Sequence, residues 1–161
     1  MSLSSDLQQK VALELKRRFR GYDLIEWSKC VYISDFPIYF DVFMENSSKI
    51  IVIEIELKRP APVHNVVKTL LWASFKQDKR PVNMLHFFDE NHYKAGNTLD
   101  FQLATRLPFF WPPKYGKKQC INYLPLLVSI PAVNSKISSP HSTISKLTNT
   151  ICDKVGLSGM L

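Results

Sequence analysis

Residues 50–58 read Ile-Ile-Val-Ile-Glu-Ile-Glu-Leu-Lys, and from residue 53 onward apolar and charged side chains alternate with the period of a β-strand. Each kind of side chain therefore has its own face of the strand, with Ile53, Ile55 and Leu57 on one and Glu54, Glu56 and Lys58 on the other. The unbroken Ile/Val start of the stretch is typical of a core strand. Two carboxylates and an ammonium on such a strand predict a half-buried acidic site.

A further carboxylate lies in the preceding apolar run, residues 38–44, in which Asp41 is the lone charge. Burying such a charge is costly unless it is paired or binds a metal. Asp41 and Glu56 offer the hard oxygen ligands that a divalent cation prefers, and Lys58 adds a positive charge beside them. This combination is typical of sites that cleave phosphodiester bonds.

The order Asp41, then Glu56-Leu57-Lys58, resembles the active-site motif of the PD-(D/E)xK nuclease superfamily, which has the restriction-endonuclease-like fold. The resemblance covers about residues 5–90 as an order of helices and strands. The chain departs from the family pattern at one point, because its Pro37 lies four residues before Asp41 rather than next to it.

The resemblance implies a Mg²⁺-dependent endonuclease that hydrolyses DNA, with Mn²⁺ able to replace Mg²⁺. Asp41 and Glu56 would bind the metal, while Lys58 would orient the attacking water or stabilise the transition state. Whether the substrate is DNA or RNA stays open. So does the question of a homodimer or of a partner protein that supplies targeting.

Two other carboxylates could contribute to this site. Glu54 shares the face of Glu56, and we expect it to support the site by binding metal through water or by pairing with a cation. The resembled family often adds a Glu from its first helix as a ligand, and Glu14 is the candidate here. The alternative for Glu14 is a plain surface charge beside Arg17 and Arg18.

The acidic pattern has a second interpretation that involves no chemistry. Glu54, Glu56 and Lys58 would then be the solvated face of an antiparallel strand, and Asp41 a solvated hairpin residue. A separate alternative for the function is a nucleic-acid-binding or assembly subunit on the same fold, with a degenerate or silent site and DNA contacts from Lys114, Lys117 and Lys118. Another set of potential ligands, His86, Asp89, Glu90 and His92, matches no common metal-binding spacing.

The pattern of helix and strand signals predicts an α/β fold, and the resemblance implies a restriction-endonuclease-like core. The order is a helix, a three-strand meander, a helix and a strand, expected at 6–20, within 30–33, 38–44, 50–58, 63–76 and 82–88. Residues 45–48 form the predicted hairpin turn, so the strands on either side of it should be antiparallel neighbours. We expect one domain over 1–161, with the core at about 5–90 and a C-terminal elaboration at about 91–161.

The C-terminal elaboration should contain a divergent strand and helix. A strand is expected at 121–130, with Pro125 placing it at a sheet edge or at a bulge. Ile144, Leu147, Ile151 and Val155 outline a closing helix that packs back or mediates dimerisation.

Residues 109–118 are interrupted by proline and glycine and predict a loop. We expect Phe109, Phe110 and Trp111 to pack in the core, with base stacking as the alternative. We expect Lys114, Lys117 and Lys118 to contact nucleic acid.

Composition agrees with an anionic partner. The chain has 21 Lys and Arg residues against 14 Asp and Glu residues, a formal net charge of +7. Its three cysteines include no Cys-x-x-Cys pair, so we expect neither a disulfide framework nor a zinc site.

No apolar stretch approaches the roughly 18 residues needed to span a bilayer. We therefore expect a cytoplasmic protein with no membrane association.

Overall fold

The computed structural model describes residues 3–57, 61–93, 99–110, 121–133, 136–137 and 140–155. The described chain forms four helices, α1 (Leu3–Arg18), α2 (Val63–Phe75), α3 (Leu99–Phe110) and α4 (Pro140–Lys154). It also forms seven strands, which are β1 (Leu24–Ile33), β2 (Phe36–Glu45), β3 (Ile50–Glu56), β4 (Val82–Asp89), β5 (Ile121–Val128), β6 (Ala132–Val133) and β7 (Lys136–Ile137).

The first five strands form one mixed open sheet in the order β1-β2-β3-β4-β5, and the short β6 and β7 pair with each other. β1, β2 and β3 are antiparallel neighbours, as the meander prediction requires. The β2–β3 turn is held by Asn46, whose Oδ1 accepts hydrogen bonds from the backbone N–H groups of Ser48 and Lys49. β3, β4 and β5 run parallel, and α2 connects β3 to β4 because a parallel pair needs a crossover.

Helices cover both faces of the sheet. On one face, α1 and α4 pack with residues such as Leu7 and Leu147 against Ile53 of β3. On the other face, α2 and α3 pack with residues such as Leu70 and Ala104. An α/β fold is therefore confirmed, and the closing helix does pack back onto the sheet.

The central position of β3 confirms the predicted core strand but overturns the prediction that its acidic site is half-buried. All seven residues of β3 are buried, and Glu54 and Glu56 have no exposed surface at all. The reason is the crossover: parallel strands in an α/β sheet are covered on both faces, so the charged face meets α2 instead of water. A solvated face for Glu54 and Glu56 is therefore wrong as well.

The β1–β2 hairpin reverses its faces near Ser28. Ile25 and Trp27 pack on the side of α1 and α4, whereas Val31 and Ile33 pack on the side of α2 and α3. Strict alternation would keep these four odd-numbered residues on one face. Ser28 has a left-handed backbone with φ of 52°, and this residue absorbs the reversal.

Three further sequence expectations need correction. β1 begins at Leu24 and is much longer than the strand expected within 30–33. The expected loop at 109–118 is wrong for Phe109 and Phe110, which end α3, because the helix continues past Pro108. Core packing is also wrong for these two phenylalanines, which are 66% and 79% exposed. The prediction of an edge strand containing Pro125 is confirmed by β5.

Candidate functional site

Asp41 lies where the β2–β3 ladder ends. The last paired residues are Val42 and Ile53, and one more step of the same register places Asp41 opposite Glu54. Beyond this point a side chain replaces the backbone as the hydrogen-bond acceptor on β2: Oδ2 of Asp41 accepts a 2.8 Å hydrogen bond from the Ile55 backbone N–H. The register thus pairs Asp41 with Glu54 rather than with Glu56.

Asp41 also faces a cavity of about 390 Å³, a volume within the usual range of ligand pockets. The wall of this cavity is formed by α1, the β1–β2 hairpin and α2, and includes Ser5, Gln8, Ser28, Tyr39 and Lys68. Asp41 and Lys68 connect the cavity to the buried acidic residues of β3.

Glu54 is a buried carboxylate with one cation beside it. The Lys68 Nζ lies 2.9 Å from Oε1 of Glu54, while Oε2 has no hydrogen-bond partner among the described residues. Burial raises the pKa of Glu54 well above its usual range, and the nearby charge of Asp41 raises it further. The Lys68 ammonium opposes both effects but does not outweigh them.

Lys68 is held in place by three contacts. Besides its ion pair with Glu54, its Nζ donates a 2.6 Å hydrogen bond to the Tyr39 carbonyl oxygen and lies 5.4 Å from the centre of the Phe40 ring. Its side chain remains 21% exposed, so the charge can be reached from solvent. The lysine therefore forms the boundary between the cavity and Glu54.

Glu56 belongs to a separate chain of buried polar groups. Its Oε1 accepts a hydrogen bond from the Asn65 side-chain amide on α2 and lies 3.2 Å from Nε2 of His86 on β4. The other ring nitrogen of His86 lies 3.0 Å from the hydroxyl of Tyr123 on β5. Burial lowers the pKa of His86, which favours the neutral ring, and raises the pKa of Tyr123.

Glu14 lies on α1 but does not line the cavity wall described above, to which that helix contributes Ser5 and Gln8. Its Oε1 is 2.7 Å from Arg17 and 2.6 Å from Arg18. Hydrogen bonds from these arginines lower the pKa of Glu14 to about 2. These ion pairs favour the surface-charge alternative for Glu14.

Several predicted site residues lie outside the described residues. They are Lys58 of the Glu-x-Lys motif and the three lysines of the basic segment, Lys114, Lys117 and Lys118. Their roles stay predictions.

Sequence reasoning did not predict three residues that contact Glu54 or Glu56. Lys68 contacts Glu54, while Asn65 and His86 contact Glu56. A signal for two of them was present in α2, because Asn65 and Lys68 are three residues apart and hence neighbours on the helix surface. His86 carried no such signal, since its proximity to Glu56 depends on the parallel pairing of β3 with β4.

Within the described part of the chain, no group of three or more His, Cys, Asp and Glu side chains is arranged to hold a metal ion. Comparison of this chain with protein families, curated proteins and solved structures finds no match. None of the described helices has the length and apolar character needed to cross a membrane.

Proposed function

We propose that this protein is a Mg²⁺-dependent endonuclease that hydrolyses phosphodiester bonds in DNA, on a fold of the PD-(D/E)xK superfamily. The observation that carries the proposal is that Asp41 and Glu54 lie opposite each other at the end of the β2–β3 ladder, with Asp41 lining a cavity and Glu56 one pleat further along β3. Three carboxylates in this position are hard to explain by stability alone, since buried carboxylates destabilise a fold unless they are compensated.

The side chains present fit a divalent cation. Glu54 is completely buried, its Oε2 has no hydrogen-bond partner among the described residues, and Lys68 is the cation that pairs with it. Mg²⁺ usually binds through one or two protein carboxylates together with water and substrate phosphates, so a pair such as Asp41 and Glu54 is sufficient. Glu56, one pleat further along β3, would complete the ligand set expected from the motif.

When bound, the metal would supply a Lewis acid that acidifies water and offsets charge on the scissile phosphate. Other groups of the protein hold the carboxylate ligands in position. The Ile55 N–H fixes the Asp41 carboxylate, and Lys68 limits the movement of Glu54. α2 excludes water from the acidic face of β3, which strengthens every charge interaction there. Lys58 would stabilise the negative charge that grows in the transition state.

One observation favours the second candidate function, a nucleic-acid-binding or assembly subunit with a silent site. Lys68 already neutralises part of the acidic cluster, and a lysine in this position can replace a metal permanently. On that view the ion pair is purely structural. The two functions differ in whether the protein binds metal and cleaves DNA.

Digestion of supercoiled plasmid and of single-stranded DNA tests the proposal. The purified protein should cleave with Mg²⁺ or Mn²⁺ and not with EDTA. Asp41→Asn keeps the shape of the side chain and should reduce cleavage by more than about a hundredfold, because loss of a metal ligand costs more than loss of its outer partners.

Glu26→Gln is the matched control for this assay, since Glu26 is an exposed carboxylate on β1 that pairs with Lys29. It should cleave like the wild type. Equal cleavage by Asp41→Asn preparations would show that the activity does not come from this site. Binding of DNA without cleavage in any divalent metal would support the silent subunit instead.

A further inference from the structure

A row of buried hydrogen-bonding groups crosses the sheet next to Glu56. It runs from Asn65 on α2 through Glu56 on β3 and His86 on β4 to Tyr123 on β5. Glu56 and His86 both have no exposed surface. A polar row of this kind is costly to bury unless each of its members has a hydrogen-bond partner.

The chemistry of the groups fixes which atom donates in each contact. Oε1 of Glu56 accepts a hydrogen bond from the Asn65 side-chain amide, and an oxygen that acts as an acceptor there leaves Nε2 of His86, 3.2 Å away, as the donor of the second contact. A neutral imidazole has a single N–H, which leaves Nδ1 as an acceptor. The Tyr123 hydroxyl, 3.0 Å away, then donates to Nδ1.

We propose that His86 is a positioning residue for Glu56, and that Tyr123 selects the His86 tautomer that makes this possible. This inference rests on the proposed function, because it assigns Glu56 to the metal site. Hydrogen bonds to a ligating carboxylate set its orientation, and the hydrogen bond at one ring nitrogen of a histidine decides which nitrogen is protonated. Tyr123 therefore acts on Glu56 through His86, across two neighbouring strands.

The effect on metal binding should be measurable without any nucleic acid. Loss of an outer hydrogen-bonding partner typically costs about 10–100-fold in metal affinity or activity. Tyr123→Phe removes only the hydroxyl, and we expect it to weaken Mn²⁺ binding by about tenfold or more in calorimetry. His86→Leu should have at least this effect, while His86→Gln, whose amide can still donate to Glu56, should retain more affinity than His86→Leu.

Tyr22→Phe is the matched control. Tyr22 is a buried tyrosine whose hydroxyl has no hydrogen-bond partner among the described residues, so removing it should leave Mn²⁺ affinity unchanged. Turnover provides a second measurement: Tyr123→Phe should lower kcat while KM for DNA changes less than about twofold, because Glu56 acts on the reacting centre and not on substrate binding.

The tautomer itself is observable by nitrogen NMR of the imidazole rings, since the chain has only four histidines and His86→Gln identifies the signal. The wild type should show a protonated Nε2 and an unprotonated Nδ1, and Tyr123→Phe should shift this balance. A wild-type ring protonated at Nδ1, or Mn²⁺ affinity that is the same in wild type, Tyr123→Phe and His86→Leu, overturns the positioning role alone. Absence of Mn²⁺ binding in the wild type overturns the proposed function and the positioning role together.

Discussion

Lys68 on α2 and Glu54 on β3 form an ion pair in which Nζ lies 2.9 Å from Oε1, with the carboxylate fully buried and the lysine partly exposed. This pair supplies one positive charge to a region that also contains Asp41 and Glu56. Glu54 and Glu56 lie in a water-poor layer between β3 and α2, where electrostatic interactions are strong. Among the described residues, this region therefore has three carboxyl groups and one lysine. We expect this ratio to determine metal binding, the stability of the fold and the dependence of that stability on pH.

Removal of Lys68 should destabilise the protein in a pH-dependent way. Lys68→Met keeps an unbranched side chain near Phe40 but leaves Glu54 buried without its cation, which should cost on the order of 3 kcal/mol at pH 8. The loss should be smaller at pH 5, because Glu54 then takes up a proton more readily. Urea unfolding at both pH values measures the difference, with Lys10→Met, at an exposed ion pair, as a control that changes stability by less than about 1 kcal/mol.

Glu54→Gln should stabilise the metal-free protein increasingly as the pH rises. The folded-state pKa of Glu54 is raised above its usual value, mainly by burial. Such a group favours folding below its unfolded pKa, and this contribution is lost as the pH rises through the folded pKa. The stability difference between Glu54→Gln and wild type should therefore grow between pH 5 and pH 8.

Glu14→Gln is the control, because the pKa of Glu14 is shifted in the opposite direction from that of Glu54. The arginine partners of Glu14 lower its pKa to about 2. Stability from Glu14 is present above its unfolded pKa and is lost only as the pH falls toward 2, and it is small because the pair lies at the surface. Its stability difference should be flat between pH 5 and pH 8. A flat profile for Glu54→Gln as well would contradict the buried, proton-favouring environment of Glu54.

Divalent metal should raise the melting temperature of the wild type in the absence of DNA. At a metal concentration ten times Kd, binding to the folded state adds about 1.4 kcal/mol, which corresponds to an increase of about 3 to 6 °C for a chain of this size. Asp41→Asn and Glu56→Gln should lose this shift, and Glu26→Gln should keep it. Equal shifts in all four proteins would place metal binding elsewhere.

Lys58→Ala should reduce the rate of cleavage more than the affinity for DNA. A charge beside the scissile phosphate acts mainly in the transition state, so kcat should fall while KM changes little. Single-turnover cleavage and equilibrium binding separate the two effects. If affinity fell as much as rate, Lys58 would be an ordinary phosphate contact.

Replacement of Lys114, Lys117 and Lys118 by Ala should weaken DNA binding and flatten its salt dependence. Each lysine that neutralises a phosphate releases condensed counterions, so losing three contacts should reduce the slope of log affinity against log salt by about 2 to 3 units. Cleavage at saturating DNA should survive. Superimposable salt slopes for the wild type and the triple variant would indicate that these lysines do not contact DNA.

The sequence alone determined most of the individual elements, because their signals are local. The helical spacing of Val66 and Leu70 placed α2 correctly, and the turn chemistry of Asn46 set the antiparallel pairing of β2 with β3. The alternation in residues 50–58 also put Glu54 and Glu56 on one face. The helix α3 was not predicted at all, and Pro108, which is normally a helix breaker, lies inside it.

Only the tertiary structure decided what those faces contact. The alternation of apolar and charged residues predicts which side chains share a face of the strand. It does not predict whether another layer of the fold covers that face. The crossover through α2 covers the charged face of β3, and parallel pairing brings His86 beside Glu56. The register then sets Asp41 opposite Glu54, one pleat away from the Glu-x-Lys motif. These contacts join residues far apart in the chain, so their geometry depends on the packing of strands and helices rather than on any local pattern.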